Sequence, residues 1–249
     1  MIKLELVALR LSSARLRGNR ASPDEPDDIA LGRYLWNIAL AEALYPAVHL
    51  LEVCLRNALD GAIATFVGPE WYDDPRIIVD PRAREDIQTA RKHIADGGHS
   101  TDRTRIIAAL DLGFWAGLFN REYEQTPLPS RDRIALWPGV LALIGPCLPL
   151  GLRNRAAMSE FLGRVRIIRN RAYHHEPLWR GCPDRRGVAV PLSIDHARIV
   201  ATIRFLSPEV GRLFDLVDRF GDVFDAGPER WIEAVCGPAA LSGEDPPPS

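Results

Sequence analysis

Apolar positions recur at three- and four-residue spacing through most of the chain, the mark of helices with one buried face. Residues 18–28, GNRASPDEPDD, form a polar loop with an acidic end suited to capping a helix, so Asp27 or Asp28 opens one that runs from Ile29 to Leu44. Pro46 has no N–H to donate and is expected to interrupt that helix. A second helix then runs to Val67 and closes at Gly68-Pro69. Residues 72–82 are rich in Asp and Pro and break the pattern; 83–95 form a short polar helix stopped by Gly97-Gly98. A further helix is expected over 101–120, with the spacing of Phe114, Trp115 and Phe119 assigning them to the core.

Residues 125–150 carry five prolines (Pro127, Pro129, Pro138, Pro146 and Pro149) around short helical turns. The most regular amphipathic helix covers 156–175. After a loop at 177–192, helices are expected near 193–206, 208–224 and 228–236. Strand signals are confined to Ile77–Val79 and Val188–Val190, and no internal repeat is visible. These elements make an all-α protein: one helical domain over 1–236, a bundle of about six or seven helices with long loops. Residues 237–249, ending in GEDPPPS, read as a disordered tail.

Composition narrows the chemistry. At 249 residues the chain is long enough to bury a substantial core. Its 47% hydrophobic and 26% charged content is that of an ordinary globular protein. The formal charge of −2 gives no global positive field, so any basic site is local. Lys3 and Lys92 are the only lysines, which leaves 29 of the 31 basic residues as arginine. Coding bias produces that skew; so does a need for guanidinium forks on phosphate or carboxylate, and composition does not choose between them.

Cys54, Cys147, Cys182 and Cys236 are scattered without a C-x-x-C, and the six histidines show no metal-ligand spacing. No metal and no cofactor is therefore expected. The N-terminal MIKLELVALRLSSARLRGNR has too short an apolar run, too broken by arginine, for a signal peptide. No stretch reaches 18 uninterrupted apolar residues, so no membrane span is expected and the location is expected to be cytoplasmic.

The segment FLGRVRIIRNRAYHHEP, residues 161–177, carries the densest chemistry. On a helical wheel Phe161, Val165, Ile168 and Ala172 fall within roughly 60° of one another and form the core stripe. Roughly opposite lie Arg166, Asn170 and His174, with Arg169 and Tyr173 on their flank and His175 turned back toward the apolar stripe. Pro177 disfavours helical geometry at Glu176, so the helix is expected to end just after the paired histidines. His174 then sits near a helix C-terminus. Two readings stay open: a solvated basic face with a capping histidine, or a functional face. His174 and His175 are adjacent and about 100° apart, which makes joint chelation of one ion poor.

A second polar anomaly lies in AVHLLEVCLRNALDGAIATFV, residues 47–67. This stretch is apolar almost all round, yet His49, Glu52, Arg56 and Asp60 share an arc of roughly 80°, with Asn57 beside it. Glu52 and Arg56 stand at the favourable i, i+4 order for an ion pair. The arc reads as a structural ion pair between packed helices, or as a seam that faces and orients the Arg166–His174 face; both can hold together.

RNRAYHHEP, preceded by LEVCLRNAL, LGFWAGLF and LWPGVL, resembles the Abi-like proteins associated with bacterial abortive infection, which belong to the HEPN superfamily of helical domains, many of them ribonucleases. The resemblance runs from LSSARL at about Ser12 to SPEVGRLF near Phe214. R-x(4–6)-H alone is weakly specific, whereas RNR-x-x-HHEP after LEV-x-LRN is strongly so. The resemblance implies a HEPN-like helical bundle with additional helices, and its signature falls on Arg169, Asn170 and His174 as catalytic residues. Glu52, Arg56, Asn57, Arg166, Tyr173, His175 and Glu176 are the supporting or RNA-binding candidates. Related HEPN proteins partnered with nucleotidyltransferases carry a Tyr two residues after the His. Glu176 stands there in this chain, so regulation through such a Tyr is not implied.

Metal-free RNA cleavage needs a base for the ribose 2′-OH, a proton donor for the leaving 5′-oxygen and positive charge on the phosphorane. Histidine, with an ordinary pKa of about 6.5, serves the proton transfers. Arginine serves the charge, and Asn170 would orient His174 or donate to phosphate. On one helix Arg169 and His174 are about 7.5 Å apart in rise and roughly 140° in rotation. A homodimer placing two copies around one cleft is therefore expected, as the resemblance also implies. The expected activity is a metal-independent endoribonuclease of anti-phage or toxin–antitoxin type, leaving 2′,3′-cyclic phosphate ends, with an antitoxin or other regulator as a further partner. The alternative is a non-catalytic HEPN-like module that binds RNA or protein.

Overall fold

A computed structural model of the chain describes residues 4–125, 132–184 and 186–237. About 70% of it is helical, which makes the protein all-α. In chain order the helices are α1 (Leu4–Leu11), α2 (Ser13–Gly18), α3 (Asp27–Val67), α4 (Pro81–Asp96), α5 (Arg103–Ala109) and α6 (Leu112–Gly117). They continue with α7 (Gly139–Ile144), α8 (Arg155–Tyr173), α9 (Leu192–Leu206), α10 (Pro208–Phe214), α11 (Phe220–Asp225) and α12 (Glu229–Cys236). Two short strands, β1 (Cys182–Pro183) and β2 (Ala189–Val190), pair antiparallel with Cys182 opposite Val190.

Several helices differ from the sequence expectation, each for a physical reason. Pro46 does not interrupt α3, which runs unbroken for 41 residues. The missing hydrogen bond and ring clash cost about 3 kcal/mol. Leu44, Val48 and Leu51 are all buried close to the proline, and each such side chain contributes about 1.5–3 kcal/mol, so burial outweighs the break. Conversely, the helix expected over 101–120 splits. Leu110 is extended, and Asp111 accepts a hydrogen bond from the Phe114 N–H at 3.0 Å to start α6 afresh. The expected 208–224 helix is also divided, into α10 and α11, by the turn at 215–219.

Ile77–Val79 forms no strand: Ile77 and Ile78 are buried in a turn, their N–H groups donating to the Asp74 carbonyl at 3.0 and 2.9 Å. Val188–Val190 does supply β2. The expected disordered tail lies outside the described residues, apart from Gly237.

Among the described helices α3 alone is long and apolar enough to cross a membrane, with a mean hydropathy of 1.6 over its most apolar 18-residue window. Much of that apolar surface is core, however. Leu51, Leu55, Leu59 and Ile63 repeat every four residues and are completely buried.

The chain groups into two compact units. The first comprises residues 1–47, 167–198 and 215–249. Leu16, Leu31 and Tyr34 form a core cluster there, against which Leu4, Val7, Ala8, Leu11 and Val235 pack. In the same unit Gly32 lets α12 lie close to α3, since a Cβ there would meet the Ile232 backbone at 2.6 Å.

The second unit comprises residues 48–166 and 199–214. Its centre is aromatic: Trp71 packs against Phe114 and Trp115, and Phe119 stacks on Trp137 with centroids 4.4 Å apart. Phe114, Trp115 and Phe119 are core residues, as their spacing predicts. The buried indole N–H groups of Trp115 and Trp137 donate to the Leu110 and Leu118 carbonyls, so neither is left unsatisfied.

Candidate functional site

The candidate site lies in the first unit, at the end of α8. Met158, Phe161, Leu162, Val165 and Ile168 are buried along one side of that helix. Arg166, which belongs to the second unit, is exposed on α8, as are Asn170 and Tyr173; His174, just past the end of the helix, is exposed as well. Ala172, expected at the centre of the stripe, is only half-buried because the helix stops one residue later.

Three backbone bonds close the helix. The N–H of His174 donates to Asn170 O at 2.8 Å, that of His175 to Ala172 O at 3.1 Å, and that of Glu176 to Arg171 O at 2.8 Å. The last two form a Schellman closure, which demands a left-handed residue between them. That residue is His175, with φ 58°. His175 therefore does not turn back toward the apolar stripe as the helical wheel predicts; it leaves the helix and is exposed. Pro177 comes two residues later and continues the chain in extended geometry.

The loop after the closure is tied down from three elements. Arg171 of α8 donates to Glu176 Oε2 at 3.1 Å, to Pro177 O at 2.7 Å, to Gly181 O, and to Cys182 Sγ at 3.0 Å. Asn37 of α3, 3% exposed, donates through Nδ2 to Glu176 O at 3.1 Å and accepts from the Leu178 N–H at 2.6 Å. Arg15 of α2 donates to the carbonyls of His174 and His175 at 3.2 and 3.1 Å. Beyond them the Trp179 N–H donates to Asn19 Oδ1 at 3.2 Å, while the guanidinium groups of Arg33 and Arg180 lie 5.1 and 4.6 Å from its ring.

The backbone of His174–Cys182 is thus held by buried or half-buried groups, while the side chains of Asn170 and His174 are exposed. Among the described residues no hydrogen bond or ion pair engages the side chains of Arg166, Asn170 or His174. Arg169 sets its guanidinium carbon 4.9 Å from the Tyr173 ring centroid, the i, i+4 contact expected on a helix. A fixed backbone, free polar side chains and a nearby cation make a surface suited to proton transfer and to binding an anion.

Glu52, Arg56 and Asn57 lie in the second unit. Arg56 donates to Ala108 O at 3.0 Å and to Asn57 Oδ1 at 3.3 Å. The neighbouring Asp60 accepts two bonds from Arg103, each 2.7 Å, and one from the Trp71 N–H at 2.9 Å. These contacts fasten α5 and the Trp71 turn to α3.

Sequence reasoning passed over Arg171, Asn37 and Arg15. A lone Asn in the apolar run ALGRYLWNIAL was a usable signal, because buried amides need partners. Arg171 sits inside the signature, but its role depends on where the loop returns. Arg15 carried no signal.

Among the described residues no three His, Cys, Asp or Glu side chains gather where they could hold a metal ion. Compared with known proteins, the chain matches no family model, no curated sequence and no solved structure.

Proposed function

We propose that the protein is a metal-independent endoribonuclease of bacterial defence or toxin–antitoxin type, working as a homodimer. In this reading His174 takes the proton of the 2′-OH as the 2′-oxygen bonds to phosphorus, and returns a proton to the 5′-oxygen as its bond to phosphorus breaks. Arg169 neutralises the developing phosphorane charge, and Asn170 donates to the phosphate. Two copies of the R-N…H segment around one two-fold axis supply the groups that a single helix holds too far apart. The products carry 2′,3′-cyclic phosphate and 5′-OH ends, and DNA is spared because it lacks the nucleophile. The Abi-like and HEPN resemblance of RNRAYHHEP motivates the assignment.

The observation that carries it is the exposed, unengaged His174 beside Asn170, on a backbone anchored by Arg15, Arg171 and Asn37. A histidine kept only as a helix cap would be expected to bond the carbonyls at the helix end. Here Arg15 meets the His174 and His175 carbonyls, which leaves the imidazole available.

Purified protein incubated with total RNA in EDTA tests the reading. Wild type should cut and leave cyclic-phosphate ends, while His174→Ala and Arg169→Ala should lose at least about a hundredfold in rate. Equal cutting by all three proteins, or dependence on a divalent metal, overturns it.

A further inference from the structure

At 63% exposure Tyr173 is the most open aromatic side chain among the described residues. It ends a helix whose other side is core, so the ring adds little to folding. Arg169 lies over it, one turn earlier, and leaves most of the ring to solvent. Trp179, in the same unit, differs: two guanidinium groups lie within 5.1 Å of its ring, and its N–H is engaged by Asn19.

We infer that Tyr173, backed by Arg169, is a stacking platform for one unpaired nucleobase of a single-stranded RNA, beside the phosphate addressed by His174 and Asn170. The identity of the strand rests on the ribonuclease reading; the platform rests on the geometry of the two side chains. An exposed π face takes any base, and a cation behind the ring adds attraction for the flanking phosphates. With a formal charge of −2, the protein has no broad positive field to hold RNA. Local contacts must then supply the affinity, and one base–aromatic stack is worth about tenfold or more in binding. A base inside a duplex must first be unpaired and unstacked, which makes a double strand the poorer ligand.

The probe is a short oligouridylate with 2′-O-methyl riboses, which cannot be cut, carrying one 2-aminopurine whose fluorescence falls on stacking. Wild type and Tyr173→Phe should bind it in EDTA with quenching. Tyr173→Leu, checked for native circular dichroism, should bind about tenfold or more weakly and without quenching. The duplexed probe should bind about tenfold or more weakly than the single strand. Unchanged affinity in Tyr173→Leu, binding without quenching, equal affinity for the duplex, or no binding by wild type removes the platform. Cutting of natural RNA is scored separately: quenching without cutting sinks the ribonuclease and keeps the platform, and cutting without a Tyr173 effect does the reverse.

Discussion

The guanidinium of Arg15 donates to the carbonyl oxygen of His174 at 3.2 Å, joining residues 159 positions apart in the chain. A second bond reaches His175 O at 3.1 Å. The last carbonyls of a helix have no partner within it and carry partial negative charge, so a cation is well placed there. The contact also sets where the backbone of His174 stands.

Arg15→Leu removes both bonds. Because the contact is partly open to water, the expected loss is modest, about 1 kcal/mol, or roughly 2–4 °C in melting temperature. Under the proposed function kcat should fall while KM changes little, since Arg169 and Tyr173 keep their places. Thermal unfolding and steady-state kinetics check both, and an unaltered kcat would show that His174 needs no anchoring from α2.

Arg171 is the more demanding anchor, because its guanidinium serves four acceptors and its side chain is only 16% exposed. Lysine offers one compact ammonium and cannot reproduce that fork. Arg171→Lys should therefore lose about 3 kcal/mol. Urea denaturation measures this, with His174→Ala as a surface control expected to stay within about 0.5 kcal/mol of wild type. A loss as small as the control's would mean that the loop holds without the clamp.

His175 adopts φ 58°, a region that costs an ordinary residue about 1–2 kcal/mol. Glycine removes that cost but gives back about 0.5–1 kcal/mol through the freer unfolded chain. His175→Gly should thus raise stability by about 0.5 kcal/mol; under the proposed function cleavage is retained, because that reading gives the proton transfer to His174. Loss of cleavage with a raised melting temperature would instead assign chemistry to His175.

His196 of α9 gives the fold a pH dependence. It is stacked on Phe220 at 4.1 Å, and burial lowers its pKa below the ordinary 6.5, although Asp218 Oδ1 at 3.3 Å pulls the other way. A depressed histidine pKa means the unfolded chain binds the proton more readily than the folded one. Its stabilising effect is therefore complete above pH 6.5 and declines as the pH falls toward the folded value. Urea midpoints measured from pH 7.5 down to about 5 should fall for wild type and fall less for His196→Gln; parallel curves would place the dependence elsewhere.

Local features were legible wherever their causes are local. The buried stripe of α8 repeats every three or four residues, and Pro177 forces extended geometry just beyond it, so helix, exposed face and approximate end could all be read from residues 156–177. The break at Leu110–Asp111 was equally local, an Asp able to cap the following turn, and it was passed over in favour of the longer apolar pattern. At Pro46 the local rule was the weaker one, because a helix buried on both sides of a proline continues through it.

By itself the sequence determined the all-α class, the exposed face of α8 that carries Arg166 and Asn170 and leads into His174, and the set of polar groups presented there. Helical periodicity and proline geometry act over a few residues, so one chain displays them. Only the folded chain showed that the helix closes on a left-handed His175, and only the tertiary structure decided that the HHEP backbone is clamped. The clamp depends on Arg15 and Asn37, whose partners lie 139–160 residues away. Bonds of that span exist only after the chain has folded, because nothing in the neighbourhood of either residue specifies its acceptor.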